Sequence, residues 1–123
     1  MQTYLAFDFG EKRVGVATGN DFTKTAEALT TISYNNKDQL FEKIQAFIKE
    51  WQPKALVVGI PTHPDGNAHE MTAKAQRFAN QLQGRFNLPV HRVDERYTSV
   101  SVENGDDALA AQLILEQYFS EQS

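Results

Sequence analysis

Leu5-Ala6-Phe7-Asp8-Phe9-Gly10, followed closely by Arg13-Val14-Gly15-Val16-Ala17-Thr18, decides how this chain is read. The first run is an apolar strand carrying one carboxylate near its end, just ahead of a glycine turn. The second is another strand-like run, so the pair predicts an antiparallel hairpin. Asp8 then lies among residues that favour burial, where an ionised carboxylate is costly unless paired. A metal ion or a set of amide donors would pair it. The alternative is a carboxylate that caps the turn by accepting nearby N–H bonds.

Outward from the hairpin, strands and helices alternate. The first strand is expected over Tyr4 to Phe9, the second over Arg13 to Thr18, and a weaker third within Ala28 to Ser33. Leu40, Phe41, Ile44, Phe47, Ile48 and Trp51 fall on one face at helical spacing, and Pro53 stops that helix. Ala55 to Gly59 is a short continuous apolar run, the signature of a buried parallel strand. Pro61 to Asn67 reads as a loop. Ala75, Phe78, Ala79, Leu82 and Phe86 form the stripe of a second helix, Pro89 to Val93 is another strand, and a last helix runs from Asp107 to Phe119. The order β-β-β-α-β-α-β-α predicts an α/β fold: a mixed five-stranded sheet with helices on both faces. Ligands in such sheets bind beyond the carboxyl ends of the parallel strands. Asp8, Gly59, Asp94 and Glu95 close strands there, and Asp107 opens the last helix.

Composition bounds the function. A chain of 123 residues is expected to be one domain, residues 1–123, with no interdomain linker. No run is long and apolar enough for a membrane helix, no signal-peptide pattern follows Met1, and there are no cysteines, so disulfides and thiolate metal sites are excluded. A cytoplasmic location fits. The net charge of −4 means that a phosphate-binding protein of this composition must concentrate its cations locally.

Ala6-Phe7-Asp8-Phe9-Gly10 with Gly15-Val16-Ala17 resembles the first motif of the YqgF/RuvX family, a branch of the RNase H-like superfamily. Gly59-Ile60-Pro61 with Asp65-Gly66 resembles the second, Asp94-Glu95-Arg96-Tyr97-Thr98-Ser99 the third, and Asp107-Ala108-Leu109-Ala110-Ala111 with Ile114-Leu115 the fourth. The motifs recur in the family's order and span nearly the whole chain. The family is described as pre-16S rRNA nucleases, formerly as Holliday junction resolvases. The resemblance implies an RNase H-like fold and metal-dependent phosphodiester hydrolysis, with the acidic site on Asp8, Glu95 and Asp107. It also implies a role in rRNA processing, with ribosomal particles as companions. One departure stands out. Between the third motif and the last acid the family carries a longer, often Gly-rich and basic stretch. Here Ser99 to Asp106 reads only Ser-Val-Ser-Val-Glu-Asn-Gly-Asp; if the loop is truly that short, a candidate substrate-gripping element is missing.

The chemistry accounts for the acids. Phosphodiester hydrolysis needs an activated water and stabilised charge on the phosphate, and a pair of Mg²⁺ or Mn²⁺ ions supplies both. Hard cations take oxygen ligands. Asp8, Glu95 and Asp107 are the expected ligands, with Asp94 as an outer partner or a turn cap. Asp106 has a simpler role as N-cap, and an acid at Asp107 is favoured by the helix dipole alone. Lys12, Arg13, Arg96 and Thr98 are candidate substrate contacts, as are Lys74 and Arg77, which share a helix face. A charged helix face or hairpin tip is more often simply solvated. His63, His69 and His91 show no ligand spacing, and Trp51 reads as core. The substrate is expected to be nucleic acid, pre-rRNA before a DNA junction, cut by a monomer or a homodimer. Two rival readings are an ATPase lobe with an actin-like phosphate hairpin, and an RNA- or ribosome-binding protein without catalysis.

Overall fold

The computed structural model describes residues 2–61, 69–94 and 107–122. Strands β1 (Thr3–Phe9), β2 (Arg13–Asn20) and β3 (Thr25–Ser33) form an antiparallel meander. Helix α1 (Lys37–Trp51), strand β4 (Ala55–Ile60), helix α2 (His69–Phe86), strand β5 (Val90–Asp94) and helix α3 (Asp107–Glu121) follow. The sheet order is β3-β2-β1-β4-β5, with β4 and β5 parallel to β1. The expected mixed five-stranded sheet is present, and so are the three helices.

The central strands are apolar because both of their faces are covered. β4 is buried at every position. In β1, Leu5, Phe7 and Phe9 pack with residues of α1 and α2, while Tyr4 and Ala6 pack with residues of α3. This alternation assigns one helix pair to one face and α3 to the other. Asp8 shares the parity of Tyr4 and Ala6, so it belongs to the α3 face.

α1 starts sharply. The Asn36 side chain accepts from Gln39 N at 2.8 Å, and Gln39 Oε1 accepts from Asn35 N at 2.9 Å, close to a capping box. It ends at Gln52, whose left-handed backbone (φ 45°) turns the chain into Pro53. Leu40, Phe41 and Ile44 are buried, whereas Phe47, Ile48 and Trp51 are only partly covered at the cluster margin. Phe86 is likewise marginal to the core.

β3 begins at Thr25, earlier than its sequence suggests. It is an edge strand whose outward residues are polar, and its pairing with β2 shifts register at Val16/Ala17. That irregularity breaks the period-2 signal on which a strand is recognised.

Candidate active site

The last helix meets the sheet without any side chain between them at one point. Gly15 is the register partner of Asp8. A Cβ on Gly15 would lie 1.8 Å from the Asp107 carbonyl oxygen and 2.8 Å from Ala108 N. The first residue of α3 therefore rests on the backbone of β2, beside the strand position that carries Asp8. Glycine is needed there for space alone. Small residues continue the fit: Ala6 and Ala17 pair across β1 and β2, and Ala108, Ala110 and Ala111 are buried along the first turns of α3.

Asp107 is thereby pressed into an unusual place. Its Oδ2 is shielded from solvent and accepts no well-aligned hydrogen bond. Arg13 Nε lies 3.1 Å from the same oxygen, an ion pair by distance in which the N–H does not point at the acceptor. The Arg13 side chain is 56% exposed and that of Asp107 19%. An exposed guanidinium offsets the charge but leaves the oxygen's hydrogen-bonding capacity unused, a cost of about 1–3 kcal/mol for a buried acceptor. A depression of about 390 Å³ lined by Gly10, Glu11, Lys12, Arg13 and Asp107 opens beside the pair.

The hairpin that carries Asp8 is held from behind. Tyr34 Oη donates to the Gly10 carbonyl at 2.6 Å, and Tyr34 N donates to the Lys12 carbonyl at 3.1 Å. Burial, then the Glu11 charge, pushes the Tyr34 hydroxyl above its ordinary value, so it stays protonated as a donor. On the other side, Gln117 of α3 donates to the Asp94 carbonyl at 2.7 Å and fastens the end of β5 to the helix. Ile60 pairs with Asp94, so the ends of β4 and β5 lie level, at the same edge as the end of β1.

The expected site residues divide as follows. Asp8 and Asp107 belong to one face and one edge. Asp94 closes β5 at that edge, and Glu95 follows it directly in sequence. Glu95, Arg96, Thr98 and Asp106 lie outside the described residues, as do His63 and the Asp65-Gly66 part of the second motif. Among the described residues no group of three or more acids or histidines could by itself hold a metal ion. Lys12 and Arg13 are exposed on the hairpin. Lys74 lies 3.0 Å from both Glu11 and Glu70, and those hydrogen bonds push its ammonium above the ordinary value. Arg77 lines a second cavity, on the opposite face. The His91 ring stacks on Tyr118, with centroids 5.0 Å apart. Sequence reasoning missed Tyr34, whose role depends on a contact across the meander. It also missed Lys37 beside the second cavity, where the Asn36-x-x-Gln39 capping pattern was the available signal.

Comparison with known proteins fixes the lineage. The family profile described as "RuvX: Holliday junction resolvase" matches residues 2–121. A protein of Polynucleobacter necessarius named "Putative pre-16S rRNA nuclease" is 61% identical over 126 residues, covering 97% of this chain and 85% of the relative. One of the same name from Burkholderia vietnamiensis is 51% identical over 135 residues, covering 98% and 91%. That alignment is longer than this chain of 123 residues, so the relative carries positions that have no counterpart here. Among solved structures, Thermus thermophilus RuvC in complex with a Holliday junction substrate superposes with a TM-score of 0.65. It covers 99% of this chain and 96% of its own, at 11% identity, and so demonstrates a shared fold. Asp8 over Gly15, α3 seated on that glycine and the extent of the match agree: the chain belongs to the RuvX family.

Proposed function

We propose that this chain is a metal-dependent nuclease that hydrolyses phosphodiester bonds of pre-16S rRNA during ribosome maturation. The names borne by its relatives support the substrate. The observation that carries the chemistry is the Asp107 carboxylate, whose shielded Oδ2 has a cation near it but no aligned donor. A hard divalent cation satisfies such an oxygen without needing a hydrogen. Asp8, Glu95 and Asp107 would hold one or two Mg²⁺ or Mn²⁺ ions. Bound there, such ions lower the pKa of a water and neutralise charge on the phosphate oxygens.

The chain's own groups do the rest. Gly15 lets α3 deliver Asp107 to the strand end, and Tyr34 fixes the turn after Asp8. Arg13, paired with Asp107 and still half exposed, is placed to exchange that partner for a substrate phosphate. Lys12, Arg96 and Thr98 add phosphate or sugar contacts. Lys74 neutralises Glu11, and so keeps that carboxylate from repelling the strand. Residues 1–123 act as one nuclease unit in the cytoplasm, where ribosomal particles mature. Among the described residues no helix is long and apolar enough to cross a membrane.

A cleavage assay on matched single-stranded RNA, duplex DNA and four-way DNA junctions, with Mg²⁺, Mn²⁺ or chelator, tests this. RNA cleavage that requires metal is the expected result. Preferential junction cutting would move the substrate to DNA, as the family description has it. RNA binding with no cleavage under any metal would overturn the enzymatic reading.

A further inference from the structure

Phe9 follows Asp8, and strand alternation turns it to the opposite face of the same edge. There it lines a cavity of about 340 Å³ together with Tyr34, Asn36, Lys37, Lys74 and Arg77. The Lys37 ammonium donates to Gln81 Oε1 at 3.2 Å and lies 5.3 Å over the Phe9 ring. Lys37 is also the first residue of α1, where the macrodipole is already positive. Among the described residues no carboxylate lies within ion-pair distance of Lys37 or Arg77. The acid in the wall, Glu11, is taken up by Lys74. Burial, then the charges of Arg77 and Arg85, depress the Lys37 ammonium below its ordinary value. In a chain of net charge −4, this pocket gathers cations around an aromatic floor, and among the described residues two of them, Lys37 and Arg77, have no carboxylate within ion-pair distance.

We propose that the pocket is a second phosphate subsite, which receives a backbone phosphodiester of the substrate strand one or more nucleotides from the bond cut at Asp8 and Asp107. This rests on the nuclease reading above and deepens it. The two subsites lie on opposite faces of one strand end, separated by the Gly10–Arg13 hairpin. A single strand that fills both must bend around that hairpin, past Lys12 and Arg13. Such contacts fix register and orientation without reading bases. They also explain how an acidic protein grips a polyanion: a few cations are concentrated at two points along the strand's path.

The test uses metal-free protein, so that binding is read apart from cleavage, and a single-stranded RNA oligonucleotide as probe. Lys37→Ala combined with Arg77→Ala should raise Kd about tenfold or more, the loss expected for charge-assisted contacts. It should also lower the log–log salt slope by about 0.7, one phosphate on a single strand. Lys37→Gln alone, which keeps the side chain's bulk at the helix start, should give a smaller shift in the same direction. Lys37→Arg should bind like the parent. Unchanged Kd and slope in the double variant, with the parent still cutting RNA, would overturn the subsite and leave the nuclease reading standing. A parent that binds RNA through Lys37 and Arg77 but never cuts would do the reverse. Titration with inorganic phosphate, followed by NMR at Lys37 and Arg77, supplies the last arm. Saturation by phosphate at low concentration, with no effect on oligonucleotide binding, would mean a free-anion site and overturn the proposal.

Discussion

The two faces of the sheet solve opposite problems at the same strand end. Toward α1 and α2 the filling is large: Phe78 sits between Phe9 (4.7 Å, stacked), Phe41 (6.0 Å) and Phe7 (6.1 Å, edge-on). Toward α3 the residues near the edge are small, Ala6, Gly15, Ala17, Ala108 and Ala111, and among the described residues the aromatic packing involves Tyr4, His91, Tyr118 and Phe119 farther along. Bulky side chains hold a helix away from a sheet, and their burial supplies stability, roughly 1.5–3 kcal/mol for each phenylalanine. Small ones let the helix backbone touch the strand. That contact adds little apolar burial, but it brings the helix's first residue onto β2, beside the position on β1 that carries Asp8. One face is filled by large side chains, and the other lets α3 set Asp107 beside the strand position of Asp8.

The sharpest way to break this division is Asp8→Asn. Asparagine keeps the shape and loses the charge, so RNA cleavage should fall to background while the circular dichroism spectrum is unchanged. The rise in melting temperature that added Mg²⁺ gives the parent should also vanish, since ligand binding to the folded state is what stabilises it. A variant that still cut near the parent rate would remove Asp8 from the site.

Next in size is Gly15→Ala. The added carbon must displace the α3 backbone, because the obstructing atoms belong to Asp107 and Ala108 main chain. We expect a loss of up to about 3 kcal/mol in urea unfolding and a fall in cleavage of about 100-fold, the scale set by a 1 Å misplacement. Retention of activity would show that Asp107 does not depend on the close approach.

Phe78→Leu tests the other face. It should cost about 1 kcal/mol or a little more, because the cluster can repack around a residue of similar bulk. Cleavage per folded molecule should stay within about twofold of the parent, well inside the tenfold that 1.4 kcal/mol represents. A fall in activity as large as that of Gly15→Ala would erase the distinction between the faces.

The smallest effect concerns pH. Burial, then Lys54, holds the His91 imidazole below its ordinary value of 6.5. The unfolded chain therefore binds this proton more readily than the folded one, and stability falls as pH drops below 6.5 toward the folded value. Above 6.5 the contribution is fully present. His91→Gln should flatten that part of the melting-temperature curve, and an unchanged slope would assign it to carboxylates instead.

The sequence carried the hairpin, the stripe of α1, the buried β4 and the edge shared by Asp8 and Asp107, because each is written in local period or position. It did not carry the start of β3, an edge strand with polar outward residues and a shift in pairing. Gly15 was legible as part of a motif but not as the seat of a helix more than ninety residues later. The Lys37–Arg77 pocket joins the first turn of α1 to the middle of α2, and no spacing rule links two such positions. For the candidate site, the positions of Asp8 and Asp107 at a strand end and a helix start were readable, while the off-axis Arg13 contact at Asp107 Oδ2 arises only from packing.

The site draws on both extremes of the chain, and this bears on when it comes into being. The meander of β1, β2 and β3, with Tyr34 fastened to Gly10, is built from neighbours in sequence and can form as soon as those residues leave the ribosome. Asp107 belongs to the last helix, which buries Tyr4, Ala6 and Val57 when it docks. At about 5–20 residues per second, a nascent chain can therefore have Asp8 in a formed hairpin for several seconds before Asp107, the last of the three candidate acids, is made. Until then it has a folded hairpin, an uncovered apolar face and no complete acidic centre. Docking of α3 both closes the core and brings Asp107 beside the strand position of Asp8.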